Sequence, residues 1–203
     1  MTAILISRAK FGKLDYLYAT VDRRVTAGDT IVSDDHKKIR TFEPTEHRPH
    51  KRHILFCGDA APVDYMAARV NMLVSEEDIF QYVMESEIFQ KMPNHNALYI
   101  IDETVPVPEI TVIDKNKKRT GVSKVVLDEL LMNPIFDGSG GEAVLSAHNA
   151  LVFVSSNSKV AQTPKQNIER YESSLEVAFE IGSQIVSSMN NRIDILKIRI
   201  GKL

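Results

Sequence analysis

The chain has 203 residues, a net charge of -2, 43% hydrophobic and 26% charged residues, and a single cysteine, Cys57. The near-neutral balance argues against a nucleic-acid binder held by bulk electrostatics. No apolar run approaches the roughly 18 residues that a membrane span needs, and one cysteine excludes an internal disulfide. The N-terminus shows no basic region leading into an apolar core, so the reading is one cytoplasmic domain over residues 1–203 with no membrane partner.

In chain order, residues 2–7 and 15–21 read as two strands around the polar turn Lys10-Phe11-Gly12-Lys13. The loop Asp22-Arg23-Arg24-Val25-Thr26-Ala27-Gly28-Asp29 follows, then a short strand pair at 30–33 and 37–43. The run from His47 to His53 is a polar, proline-interrupted connection into the strand 54–57, which ends at Gly58. Val63, Met66, Ala67 and Val70 then switch to helical spacing. Ser75-Glu76-Glu77-Asp78 opens a second helix carrying Ile79, Tyr82, Val83 and Phe89. Strands are expected at 97–101 and 110–113, with a turn at 114–117. A helix bearing Val144, Ala147 and Leu151 follows the Gly-rich stretch 138–141. Thr163-Pro164-Lys165-Gln166 opens the longest helix, with Thr as N-cap and Pro at its first position, and Asn190-Asn191 closes it. Residues 193–200 make a last strand. Strands in runs, interrupted by helix pairs, predict an α+β layered domain with two antiparallel sheets.

Five features carry candidate chemistry. Removal of Met1 would leave Thr2 with a free α-amino group beside its own hydroxyl, so one residue would supply nucleophile and base. The α-amino group titrates near neutrality, which suits a general base. Asp22 and Lys38 lie sixteen residues apart. A Lys near a hydroxyl nucleophile lowers its pKa, and an adjacent Asp would keep that Lys charged. Gly58 ends a strand before a helix, where backbone N–H groups can stabilise an oxyanion. Ser139 sits in the flexible loop Gly138-Ser139-Gly140-Gly141. Taken singly, each also has an ordinary reading: a small residue after Met, a surface ion pair, a helix entry, a Gly-rich turn.

In that order, these features resemble the proteasome β-subunit and the bacterial HslV peptidase, N-terminal-nucleophile hydrolases of the threonine type. Asp22-Arg23-Arg24-Val25-Thr26-Ala27-Gly28 is similar to the family's Asp loop, and Lys37-Lys38-Ile39 to its Lys strand. Phe56-Cys57-Gly58-Asp59-Ala60-Ala61 falls where the family has its oxyanion Gly. Gly138-Ser139-Gly140-Gly141 resembles the HslV Ser loop, and Ala178-Phe179-Glu180-Ile181-Gly182 its late helix. The resemblance spans nearly the whole chain. It implies a four-layer α-β-β-α sandwich and attack by Thr2 Oγ on a peptide carbonyl. Lys38 would lower the hydroxyl pKa, Asp22 orient Lys38, Gly58 bind the oxyanion and Ser139 bond near the Thr2 amine. Val25, His36, Phe56 and Ala60 would line the pocket for the residue before the scissile bond, with Phe56 at its floor. No cofactor is implied. The partners implied are a homo-oligomeric ring, stacked or single, a peptide or unfolded-protein substrate, and an ATP-dependent unfoldase.

Two departures from the family pattern bear on activity. A few extra residues separate Thr2 from Asp22, and Gln184 stands where the family places an acidic residue supporting the nucleophile. Ser183, Val186 and Met189 differ from the HslV loop that can hold a cation, so no metal is expected. The alternative is therefore an inactive ring or scaffold subunit, and a third reading is a small-amide amidase of the same fold. Elsewhere, Cys57 would need His53 as its base and is better read as core. His47, His50 and His53 read as a solvated turn, with docking of an acidic partner as the lesser reading, and Met66, Met72 and Met84 read as packing.

Overall fold

The computed structural model describes residues 3–27, 30–58, 63–87, 89, 96–116, 119–156 and 162–201. Two compact units emerge: residues 1–37 with 127–201, and residues 38–126. Each carries an antiparallel sheet and a pair of helices.

In the first unit, β1 (Ile4–Phe11) and β2 (Leu14–Asp22) form a hairpin. Its ladder runs without a register shift from Ile4↔Val21 to Phe11↔Leu14. The turn is thus only Gly12-Lys13, shorter than the four-residue turn expected, with Gly12 at φ 65°. That conformation suits a residue without Cβ, and a two-residue loop matches the strand twist. β10 (Ile135–Asp137) and β11 (Ile193–Arg199) flank the hairpin, giving the order β10-β1-β2-β11.

Leu5, Ala9 and Tyr18 on one face of this sheet share a buried cluster with Val144, Leu175, Ala178 and Phe179. The latter belong to α3 (Gly141–Ser156) and α4 (Pro164–Ile185). Ile4, Ile6, Leu17, Ala19 and Val21 on the alternate positions are buried as well. Strands buried on both faces lose the polar alternation, which explains the near-continuous apolar runs in the sequence. The expected capping box on α4 is complete. Thr163 Oγ1 accepts from the Gln166 N–H, and Gln166 Oε1 accepts from the Thr163 N–H at 2.9 Å.

In the second unit, five strands run in the order β5-β6-β7-β8-β9. They are β5 (Ile39–Phe42), β6 (Arg52–Cys57), β7 (Asn96–Asp102), β8 (Glu109–Asn116) and β9 (Arg119–Lys124). Ile54, Phe56, Leu98, Ile100 and Ile113 point one way and form a core with Met66, Ala67 and Val70 of α1 (Val63–Met72) and with Ile79 and Val83 of α2 (Glu76–Glu85). Arg52 caps α1 from the sheet: its Nη1 donates to the carbonyls of Val70 and Leu73, while Asp102 accepts from its other two nitrogens at 2.7 and 2.8 Å.

Several expectations need correction. β4 (Thr30–Ser33) pairs with β3 (Val25–Ala27), and β5 pairs with β6, so 30–33 and 37–43 are not partners. β9, β10 and a short 3-10 turn at Glu129–Leu131 were not foreseen. Met66 is core, but Met72 and Met84 are 69% and 39% exposed. Among the described residues, no helix is long and apolar enough to cross a membrane.

Candidate active site

Asp22 is the last residue of β2 and is wholly buried. Its Oδ1 accepts the Ala3 N–H at 2.7 Å, and its own N–H donates to the Ala3 carbonyl at 3.2 Å. Oδ2 accepts the Arg24 N–H at 3.2 Å, an Asx-type turn that ends the strand. One side chain therefore fixes the backbone entering β1 and turns the chain out of β2.

The two arginines after it tie three loops together. Arg23 donates through Nε and Nη2 to Asp194 and through Nη1 to Asp35 at 2.7 Å. Arg24 donates through Nε to Asp34 at 2.6 Å and through Nη1 to the Ser187 carbonyl at 2.8 Å. These hydrogen bonds hold Asp34 and Asp35 below the usual carboxylate pKa range. Asn190 closes the circuit: its Oδ1 accepts from the Arg23 N–H, and its Nδ2 donates to the carbonyl and carboxylate of Asp34. Val25 and His36 are half-buried beside this network, and the His36 N–H donates to the Arg23 carbonyl at 3.0 Å.

Ser139 reaches the same post-helix segment from the other side. It follows Gly138, held at φ 84°, and its Oγ lies 2.8 Å from Ser188 Oγ. Met189, 1% exposed, plugs the space behind. A Cβ on Gly140 would come within 1.6 Å of its Sδ, and one on Gly182 within 2.8 Å of Val144 Cγ2. The segment 186–192 thus joins the Asp22 loop and the Ser139 loop, through Ser187, Ser188 and Asn190. Sequence reasoning read Asn190-Asn191 only as a helix stop and missed Ser188 and Asn190. The signal was the Asn itself, whose amide can both donate and accept across a loop junction.

In the second unit Lys38 is 6% exposed at the entry to β5. Gly58, at φ 131°, ends β6, a backbone conformation that L side chains rarely adopt. Phe56 is 3% exposed and belongs to the core cluster with α1. Thr2 and Ala60 lie outside the described residues. Gln184 is exposed near the end of α4.

His53 cannot serve Cys57. Four residues along one strand separate them by about 13 Å. Both ring nitrogens of His53 are also engaged, Nδ1 with Thr41 Oγ1 at 2.9 Å and Nε2 with Glu103 Oε1 at 2.6 Å. That chain of hydrogen bonds runs across neighbouring strands, since Thr41 is paired with His53 and His53 with Ile101.

The sequence matches no family model, and no curated protein matches it. Solved structures do match. The crystal structure of eukaryotic HslV from Trypanosoma brucei superposes with a TM-score of 0.63 and 16% identity, over 96% of this chain and 98% of that one. At that identity the likeness is one of fold: over nearly its whole length, this chain has an HslV-like, proteasome-like fold.

Proposed function

We propose that the chain is a threonine-type endopeptidase subunit of a self-compartmentalising ring, with Thr2 as nucleophile once Met1 is removed. The observation that carries this reading is the buried Asp22 carboxylate bonded at 2.7 Å to the N–H of Ala3, the residue next to Thr2. A site whose nucleophile is the chain terminus needs that terminus held rigidly, and a twice-bonded Ala3 supplies the anchor. The HslV-like fold supports the same reading.

In the proposed mechanism Thr2 Oγ attacks the peptide carbonyl and the Thr2 amine takes its proton, later giving it to the leaving amine. Lys38 lowers the hydroxyl pKa, Asp22 keeps Lys38 charged, the Gly58 N–H receives the oxyanion and Ser139 bonds near the amine. Val25, His36, Phe56 and Ala60 shape the pocket for the residue before the scissile bond, with Phe56 narrowing its floor. The proposal further comprises one four-layer α-β-β-α domain and a cytoplasmic ring of identical subunits. Unfolded protein, fed by an ATP-dependent unfoldase, is its substrate. Enclosure in a ring keeps an unselective cleft away from folded neighbours.

The second reading, an inactive scaffold subunit, rests on Gln184, which offers no charge where the proposed site calls for an acid. Intact mass before and after exposure to a peptide epoxyketone separates the two. That reagent needs both the Thr hydroxyl and a free Thr amine to form its ring adduct. Loss of one Met with a single adduct supports the peptidase. Retained Met1, or a free Thr2 that never reacts, supports the scaffold.

A further inference from the structure

Within the first unit a cavity of about 600 Å³ lies between the far end of β1, the 3-10 turn, α3 and α4. Phe11, Leu130 and Val152 give it an apolar wall. Tyr171 and His148 form one corner, with rings edge-to-face at 5.3 Å, and Phe11 meets Tyr171 in the same way at 5.8 Å. The site proposed above makes no use of this cavity.

Tyr171 Oη donates to Ser7 Oγ at 2.8 Å and lies 3.3 Å from His148 Nε2. With the tyrosine proton committed to Ser7, Nε2 must carry the imidazole hydrogen, which leaves Nδ1 a bare acceptor. His148 is 2% exposed, and its Nδ1 is buried without a hydrogen-bond partner among the described residues, closed to a ligand in the cavity. Arg8, Lys10 and Arg170 also line the cavity, and no Asp or Glu does. Arg8 is paired with Asp15 and Asp128, and Lys10 lies 3.8 Å from Asp15. Arg170 has no ion pair among the described residues. Three cations against two carboxylates leave one positive charge beside an apolar wall.

We propose that this cavity binds a small amphipathic monocarboxylic acid. Its carboxylate sits on Arg170, and its apolar body lies along Phe11, Leu130 and Val152. One uncompensated cation matches a monoanion, whereas a phosphate dianion would bring surplus negative charge. The apolar wall favours an aliphatic or aromatic body over a sugar.

Calorimetric titration of the intact protein with N-acetyl-L-leucine tests this. Saturable one-to-one binding is expected, at least tenfold weaker for N-acetyl-L-leucinamide, which keeps the apolar body and loses the charge. The exposed Arg170→Gln should weaken the acid about tenfold without changing thermal stability, while the amide should bind the variant as it binds the parent. Methyl NMR should show Leu130 and Val152 shifting on titration with the acid. Absence of binding, equal affinity for acid and amide, equal competition by inorganic phosphate, or an unaltered affinity in Arg170→Gln would each overturn the proposal.

Discussion

Ala3 and Asp22 hold each other twice: the Ala3 N–H donates to Asp22 Oδ1 at 2.7 Å, and the Asp22 N–H donates to the Ala3 carbonyl at 3.2 Å. The pair sits one step beyond Ile4↔Val21, where the β1–β2 ladder ends. A side chain thus extends the sheet by one more rung.

Asp22→Ala should therefore do more than remove a charge. It strands the Ala3 and Arg24 N–H groups, at about 1–3 kcal/mol for each buried donor left unpaired. Asp22→Asn keeps one acceptor oxygen for Ala3 and should lose about half as much. Both variants should fail to form the epoxyketone adduct. Urea unfolding with intact mass checks the two effects separately, and an adduct on Asp22→Ala would contradict the proposed role.

Gly140 and Met189 make a second testable pair. Gly140→Ala should destabilise by about 1–3 kcal/mol, because the added methyl overlaps the methionine sulfur. In a Met189→Ala background the same substitution should cost far less, since the obstacle is gone. A double-mutant cycle with coupling under about 0.5 kcal/mol would show that the loop moves aside instead.

Acid stability should report on His148. Burial lowers its pKa from 6.5 to about 4, so the unfolded chain binds the proton more readily than the native one. Between those values stability falls as pH falls, by up to about 3 kcal/mol in all. The depressed Asp34 and Asp35 act below that window, where their loss of charge removes the pairing with Arg24 and Arg23. His148→Gln should flatten the slope between pH 6.5 and 4 in a series of urea titrations. An unchanged slope would place the titrating group elsewhere.

Gln184→Glu is the substitution that separates peptidase from scaffold most directly. The residue is exposed, so stability should change by no more than about 0.5 kcal/mol. The rate of adduct formation should rise about tenfold, in keeping with the gain of roughly 1.4 kcal/mol from one well-placed charge near a reacting group. Time-resolved mass spectrometry measures it.

The elements that were legible in the sequence are those with local signals. The Thr163 capping box, the helical period through Leu175, Ala178 and Phe179, and the apolar run of β1 all appear where expected. What escaped depends on partners distant in sequence. Nothing local says that Thr30–Ser33 pairs backward with β3 while Ile39–Phe42 pairs forward with β6. β10 is three residues long and exists because β1 offers it an edge. At the candidate site, Asp22 and Ser139 were proposed from motif order, and Val25 and His36 from the family resemblance. The Ser188 and Asn190 contacts that join their loops could not, since Ser188 lies 49 residues from Ser139 and Asn190 lies 167 from Arg23. Met72 and Met84 were misjudged because helical spacing gives a residue's face only where the neighbouring element is known.

The unbroken β1–β2 ladder carries an arithmetic of its own. Because side chains alternate along each strand, the paired strands can lengthen at Gly12-Lys13 only in balanced pairs, one residue to each strand, while an odd residue enters the loop itself. An odd insertion within either strand bulges or turns Leu5 and Tyr18 away from α4, and only a bulge near the tip would spare the far end where Ala3 meets Asp22. The hairpin tip is thus the place where this chain can grow or shrink by two, four or six residues while Ala3 stays where the sheet puts it.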